Sequence, residues 1–388
     1  MMIAKSISAL LAAVAFFYST VCFSGSMAPR ELMLELFKAQ ARIGQGDRAA
    51  VAAQAKLLGD FDALIASTPG SFWKESENCG LLVNYVLSGG QVGNVRKLLR
   101  SRDVAPEIES LLRGAVAYMS GAVNEARKLL LPLDPRDMNQ LLGAQVAYVQ
   151  AVLLTEQDKA RASGLLDLAR LLAPGGLLEE AALRRQAKLA AELGDARQFM
   201  QLASQYNVRF RRSLYADDFA RAFVELAPKI GMQRNWEGVK ALDRVAESFT
   251  PELRQALFLS LAREAMLAGE FHRLEDLISM VSDEVKGDAS ALARLKLYEG
   301  IDRLVNKQYD RASTLLGAVD AASLQGPDIE LLNVSRAIGR RAAVSRVDSS
   351  RPINISNASL DGVEVRARRS GDLAEKALGA SDHALAGK

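Results

Sequence analysis

The chain has little of what most site chemistry needs. Its 388 residues include two cysteines, two histidines and only 6% aromatics. Cys22 lies in an N-terminal apolar stretch, so removal of that stretch leaves Cys79 alone. A lone cysteine cannot close an internal disulfide, and Cys79 is expected to be a small buried hydrophobe in the helix leading into Tyr85. His272 and His383 are far apart with no second cysteine to join them, which excludes the usual zinc arrangements. An excess of one charge is also missing: 49 Lys and Arg stand against 46 Asp and Glu, a net +3. Such a balance sets up no field that would draw nucleic acid or an anionic membrane. No phosphate-cradling glycine loop, no Gly-x-Ser-x-Gly elbow and no His-Glu-x-x-His occurs, so nucleotide, hydrolase and metalloprotease signatures are absent. The expectation is a chain without cofactor or metal that is not an enzyme.

At the N-terminus stand Lys5, an apolar run from Ile7 to Tyr18, and the small residues Ser24, Gly25 and Ser26. These are the three parts of a secretory signal peptide. The run is shorter than the ~20 apolar residues a spanning helix needs. Residues 1–26 are therefore expected to be cleaved and the mature protein to reside in the periplasm with no transmembrane segment. Ser19-Thr20-Val21 is a poor lipidation context for Cys22, which favours simple export.

From residue 27 to about residue 342, Ala- and Leu-rich helical stretches alternate with small or polar turns, restarting after about 37 residues, near the period of helical-hairpin arrays. The turns fall at Gly46-Asp47, Gly89-Gly90, Ser120-Gly121, Gln157-Asp158, Gly194-Asp195, Gln233-Arg234, Gly269-Glu270 and Lys307-Gln308. One unit reads Leu111, Leu112, Ala115, Tyr118 and Met119 on a single helical face, then Ala122, Ala126, Leu129 and Leu130 after the turn. Gly114 and Ala126 would let the two helices approach closely. Similar wording recurs from Leu297-Tyr298-Glu299-Gly300 through Ala312 to Leu315-Leu316. The pattern predicts an all-α fold, a right-handed α-solenoid of degenerate TPR-like hairpins in which each hairpin packs only on its neighbours. Residues 343–388 are rich in Ser, Asn, Gly and mixed charge, and predict a mostly disordered tail with a short helical tendency at Leu373 to Leu378.

Few positions suggest a site. Glu179-Glu180 and Asp217-Asp218 are adjacent carboxylates, and neighbours on a helix point about 100° apart, so they read as solvated faces rather than acid/base pairs. The basic cluster Arg209-Phe210-Arg211-Arg212, flanked by Tyr206 and Tyr215, has the composition of a partner-binding patch. The bland alternative is a capping stretch whose arginines lie on carboxylates of the preceding helix. Arg184 and Arg185 join the candidates, although Arg184 follows Glu180 at i,i+4 and is expected to be partly neutralised there.

The block Leu165 to Arg185, with Pro174-Gly175-Gly176 breaking one helix and Leu177 to Arg185 opening the next, then Gly194-Asp195 and Tyr206-Asn207-Val208-Arg209-Phe210-Arg211-Arg212-Ser213-Leu214-Tyr215-Ala216, resembles the MotC family of periplasmic motility proteins from rhizobial-type bacteria. The resemblance runs from about Leu32 to about Gly339. It implies a secreted, non-catalytic motility factor that binds the periplasmic part of the stator protein MotB and is needed for flagellar rotation. It assigns no contact residues. An exported TPR-like accessory of a cell-wall or envelope assembly machine is the competing expectation.

Overall fold

The computed structural model describes residues 27–231, 236–282 and 285–349. Among them are 17 α-helices and no strand, so the described part of the chain is all-α. The helices follow one another as α1 (Pro29–Gly44), α2 (Ala49–Ser67), α3 (Ser76–Leu87), α4 (Val92–Ser101), α5 (Pro106–Met119) and α6 (Val123–Leu130). Next come α7 (Gln140–Leu154), α8 (Lys159–Leu172), α9 (Leu177–Glu192), α10 (Ala196–Phe210), α11 (Ala216–Leu226) and α12 (Trp236–Ala246). The last are α13 (Pro251–Leu267), α14 (Phe271–Ser279), α15 (Ala289–Val305), α16 (Tyr309–Gly317) and α17 (Pro327–Ser349). Seven of the eight expected turns separate consecutive helices; Gln233-Arg234 lies outside the described residues. So do the expected signal peptide, Cys22, His383, and residues 350–388 of the expected disordered tail with its helical tendency at 373–378. Among the described residues, no helix is long and apolar enough to cross a membrane.

The chain divides into two compact units, Met1–Arg273 and Leu274–Lys388. In the first, one continuous core runs from Leu32 through Trp73, Cys79 and Tyr85 to Leu153. Cys79 is fully buried, and burial pushes its thiol up to about 11. Smaller cores join α7, α8 and α9 through Ala151, Leu154, Leu166 and Leu189. Met119, expected beside Leu111 and Leu112, is instead exposed, being the last residue before its turn. In the second unit α15 packs on α16, and α16 on α17.

The two units carry the same local design. A Cβ on Gly114 would lie 2.5 Å from Leu130, and one on Gly300 would lie 2.7 Å from Leu316, so in each hairpin a glycine seats the leucine of the returning helix. After each hairpin a short 3-10 turn follows, Pro135–Asp137 in one and Ala321–Ser323 in the other, opened by Asp134 and Asp320, whose side chains accept from the N–H two residues on. The next helix then sends a side chain back to the carbonyls that end the hairpin. Gln150 donates to the carbonyls of Leu130 and Leu133, 20 and 17 residues upstream. Arg336 donates to those of Leu316 and Val319 at the same separations, 20 and 17. Helix ends leave carbonyls without intrahelical partners, and a buried one costs free energy unless it is met.

Two expectations need correction. Packing in the first unit is not confined to neighbouring hairpins, because α1 lies against α9. Gly44 rests on Phe210 and Glu180, and a Cβ on Gly46 would sit 2.1 Å from the Arg212 carbonyl oxygen, an approach that any side chain would block. The helical part also runs further than residue 342, since α17 reaches Ser349.

The shared design leaves one mismatch. Gly121 turns the first hairpin at φ +75, and the corresponding turn of the second is made by Lys307 at φ +58, a left-handed conformation that side chains resist. Lys307→Gly is expected to stabilise the protein by about 1 kcal/mol, whereas Gly121→Ala is expected to destabilise it by a similar amount. Thermal unfolding of both variants checks this, and shifts of equal sign would contradict it.

Candidate functional site

The sequence candidates meet where α9, α10 and the turn 211–215 come together. Pro174-Gly175-Gly176 ends α8, with Gly175 at φ +82, and α9 begins without a side-chain cap at Gly176. Acidic residues suit the first turn of a helix, where backbone N–H groups point outward. Glu179 and Glu180 occupy that turn, but neither is solvated: they are 1% and 0% exposed. The expected solvated face is therefore wrong for this pair, and it holds only for the exposed Asp217 and Asp218.

Each buried carboxylate has its own compensation. Glu179 accepts from the Gly175 N–H at 2.5 Å and pairs with Arg209 at 2.7 Å. Glu180 accepts from the Tyr206 hydroxyl at 2.8 Å, while its other oxygen has no hydrogen-bond partner among the described residues. Burial raises the Glu180 carboxyl above its ordinary value, and the Ser213 and Tyr206 hydroxyls and the Arg184 charge offset this only in part. Burial, with the adjacent Glu180 charge, likewise raises the Tyr206 phenol.

The seven candidates consequently separate. Tyr206 is 2% exposed and stacks on Phe219 with centroids 3.9 Å apart, so it is a core residue and not an accessible anchor. Arg209 lies on a carboxylate of the preceding helix, the bland alternative. Arg184 is half-buried over the Tyr215 ring at 4.7 Å, and Arg185 lies over Tyr148 at 5.9 Å. Arg211 and Arg212 are exposed, with no ion pair among the described residues. A surface of two free guanidinium groups beside an Arg184–Tyr215 stack is thus what the turn 211–215 presents.

The first unit also contains a groove that the sequence did not suggest. It has a volume of about 460 Å³ and runs between α1, the start of α7 and the loop before α9, with Phe37, Leu141 and Leu172 among its walls. A smaller hollow of about 190 Å³ shares Gln40, Gln145, Leu177 and Leu178 with it and reaches Gln54 and Tyr148. The only signal in the sequence is the Pro174-Gly175-Gly176 break, whose loop forms one wall. Nothing in the local pattern of α1 announces that it returns to face that loop.

The sequence profile of the family described as "Chemotaxis protein MotC" matches residues 1–383. A curated relative, chemotaxis protein MotC of Rhizobium meliloti (strain 1021), is 29% identical over 338 residues, which is 85% of this chain and 76% of the relative. No solved structure matches the chain significantly.

The raised Glu180 pKa sets a pH dependence. The folded chain holds this proton more tightly than the unfolded chain, so stability is lost as pH rises from 4.5 through the folded value. Glu180→Gln should therefore be more stable than the parent near neutrality and lose that advantage at about pH 4. Urea unfolding at the two pH values decides it; an advantage of the same size at both would contradict the assignment.

Proposed function

Because the chain belongs to the family of chemotaxis protein MotC, we propose that it is an exported, non-catalytic motility protein required for flagellar rotation, and that it acts in the periplasm by binding the periplasmic part of the stator protein MotB. The observation that carries this reading is the family match over nearly the whole chain. In this reading residues 1–26 serve as a cleaved signal peptide, and the helical hairpins that follow serve as TPR-like units. The all-α architecture of helix pairs supports this role, since such arrays present broad surfaces to other proteins.

The turn 211–215 supplies the partner-facing charge. Arg211 and Arg212 are exposed and unpaired, and the half-buried Tyr215 lies under Arg184. Arginine and tyrosine are the residues that carry binding energy at interfaces out of proportion to their number. Tyr206 and Arg209 act behind this surface by fixing α10 on α9.

Calorimetric titration of the mature chain with the periplasmic fragment of MotB is the direct test. Arg211→Glu combined with Arg212→Glu is expected to weaken binding by at least about tenfold, roughly 1.4 kcal/mol, with no change in thermal unfolding. Failure of the parent chain to bind the fragment, joined with sedimentation on purified sacculi, would overturn the reading in favour of a cell-wall accessory role.

A further inference from the structure

The groove between α1, α7 and the loop before α9 carries a second binding site. We propose that it takes an extended, uncharged peptide segment of another protein, by a mode separate from the arginine surface and independent of whether MotB is the partner of that surface.

Three observations carry this. First, Gln145 lines both the groove and the adjoining hollow, is 7% exposed, and donates its amide N–H to the Ser88 hydroxyl at 3.0 Å, while its Oε1 has no hydrogen-bond partner among the described residues. Gln54, which lines the hollow, has an Oε1 in the same condition. Buried acceptors without donors cost about 1–3 kcal/mol each, so they favour an occupant that brings N–H groups. Second, the N-terminus of α9 reaches the same groove through Leu177 and Leu178, with no side-chain cap at Gly176. First-turn N–H groups of a helix lack intrahelical acceptors and suit an occupant that brings carbonyls. A peptide backbone offers both kinds of group in alternation. Third, no charged residue lines either hollow, and the apolar Phe37, Leu141 and Leu172 are available to its side chains. The first turn of α9 already holds Glu179 and Glu180, which disfavours a carboxylate there and restricts the occupant to an uncharged segment. At about 460 Å³ the groove has the size of small-molecule and short-peptide sites.

The test uses the full chain and a phage-displayed library of short random linear peptides, followed by fluorescence anisotropy on the synthetic form of any enriched sequence. The expected result is an uncharged consensus whose affinity falls by about tenfold or more in Leu141→Lys and in Gln145→Met, but not in Arg211→Glu. Its binding should slow amide exchange in residues 172–178. Leu141 is 42% exposed, so its substitution leaves the fold intact should Gln145→Met disturb it. Absence of enrichment, an acidic consensus, or peptides that bind the Leu141→Lys chain as well as the parent would each overturn the site.

Discussion

Two carboxylates in consecutive positions of one buried helical turn govern the first unit. Taking a charge out of water costs several kcal/mol unless partners are brought to it, and the surrounding residues supply those partners. Arg209 and the Gly175 N–H compensate Glu179; Tyr206 and a shift toward the neutral form compensate Glu180. Tyr206 and Arg209 stand three residues apart and so share one face of α10, which draws that helix onto α9. On the other side Gly44 and Gly46 let α1 come down upon Glu180, Phe210 and the Arg212 carbonyl. The groove follows from the same arrangement, because the approach of α1 toward the loop before α9 makes its two walls.

Beyond that junction two hairpins, α5–α6 and α15–α16, repeat a small set of contacts. A glycine in the first helix of a hairpin receives a leucine from the second, an aspartate opens the following 3-10 turn, and a long polar side chain from the next helix meets the carbonyls left behind. The chemistry at the last position differs, Gln150 in one unit and Arg336 in the other, because either amide or guanidinium donors satisfy a carbonyl. The same register also shows where the two helices differ. Ala147 and Leu154 of α7 are buried among the residues that pack with α8, and their counterparts on α17 are Asn333 and Arg340, both exposed.

The hairpins were legible in the sequence because their signals are local. Turn glycines at 46, 89, 121, 194 and 269 take positive φ where the spacing put them, and Gly114 seats Leu130 as its small size suggested. The burial of Glu179-Glu180 was not legible. Charge and position in the first turn argue for solvent, and what overrides them is Tyr206 and Arg209, 26 and 30 residues away, together with α1 from the far end of the unit. The return of α1 to α9 was hidden for the same reason: a non-local contact permitted by two glycines has no period to read. Tyr206 illustrates the consequence for the candidate site. A tyrosine beside arginines fits an interface in composition, and only burial separates it from Arg211 and Arg212.

The proposed role places the protein in the rotation of the flagellum and not in its construction. Electron-microscopic counting of filaments in a strain lacking this chain, combined with scoring of swimming in the same culture, tests that distinction most directly. The account predicts normal filaments that do not turn; normal swimming, or loss of the filaments themselves, would contradict it.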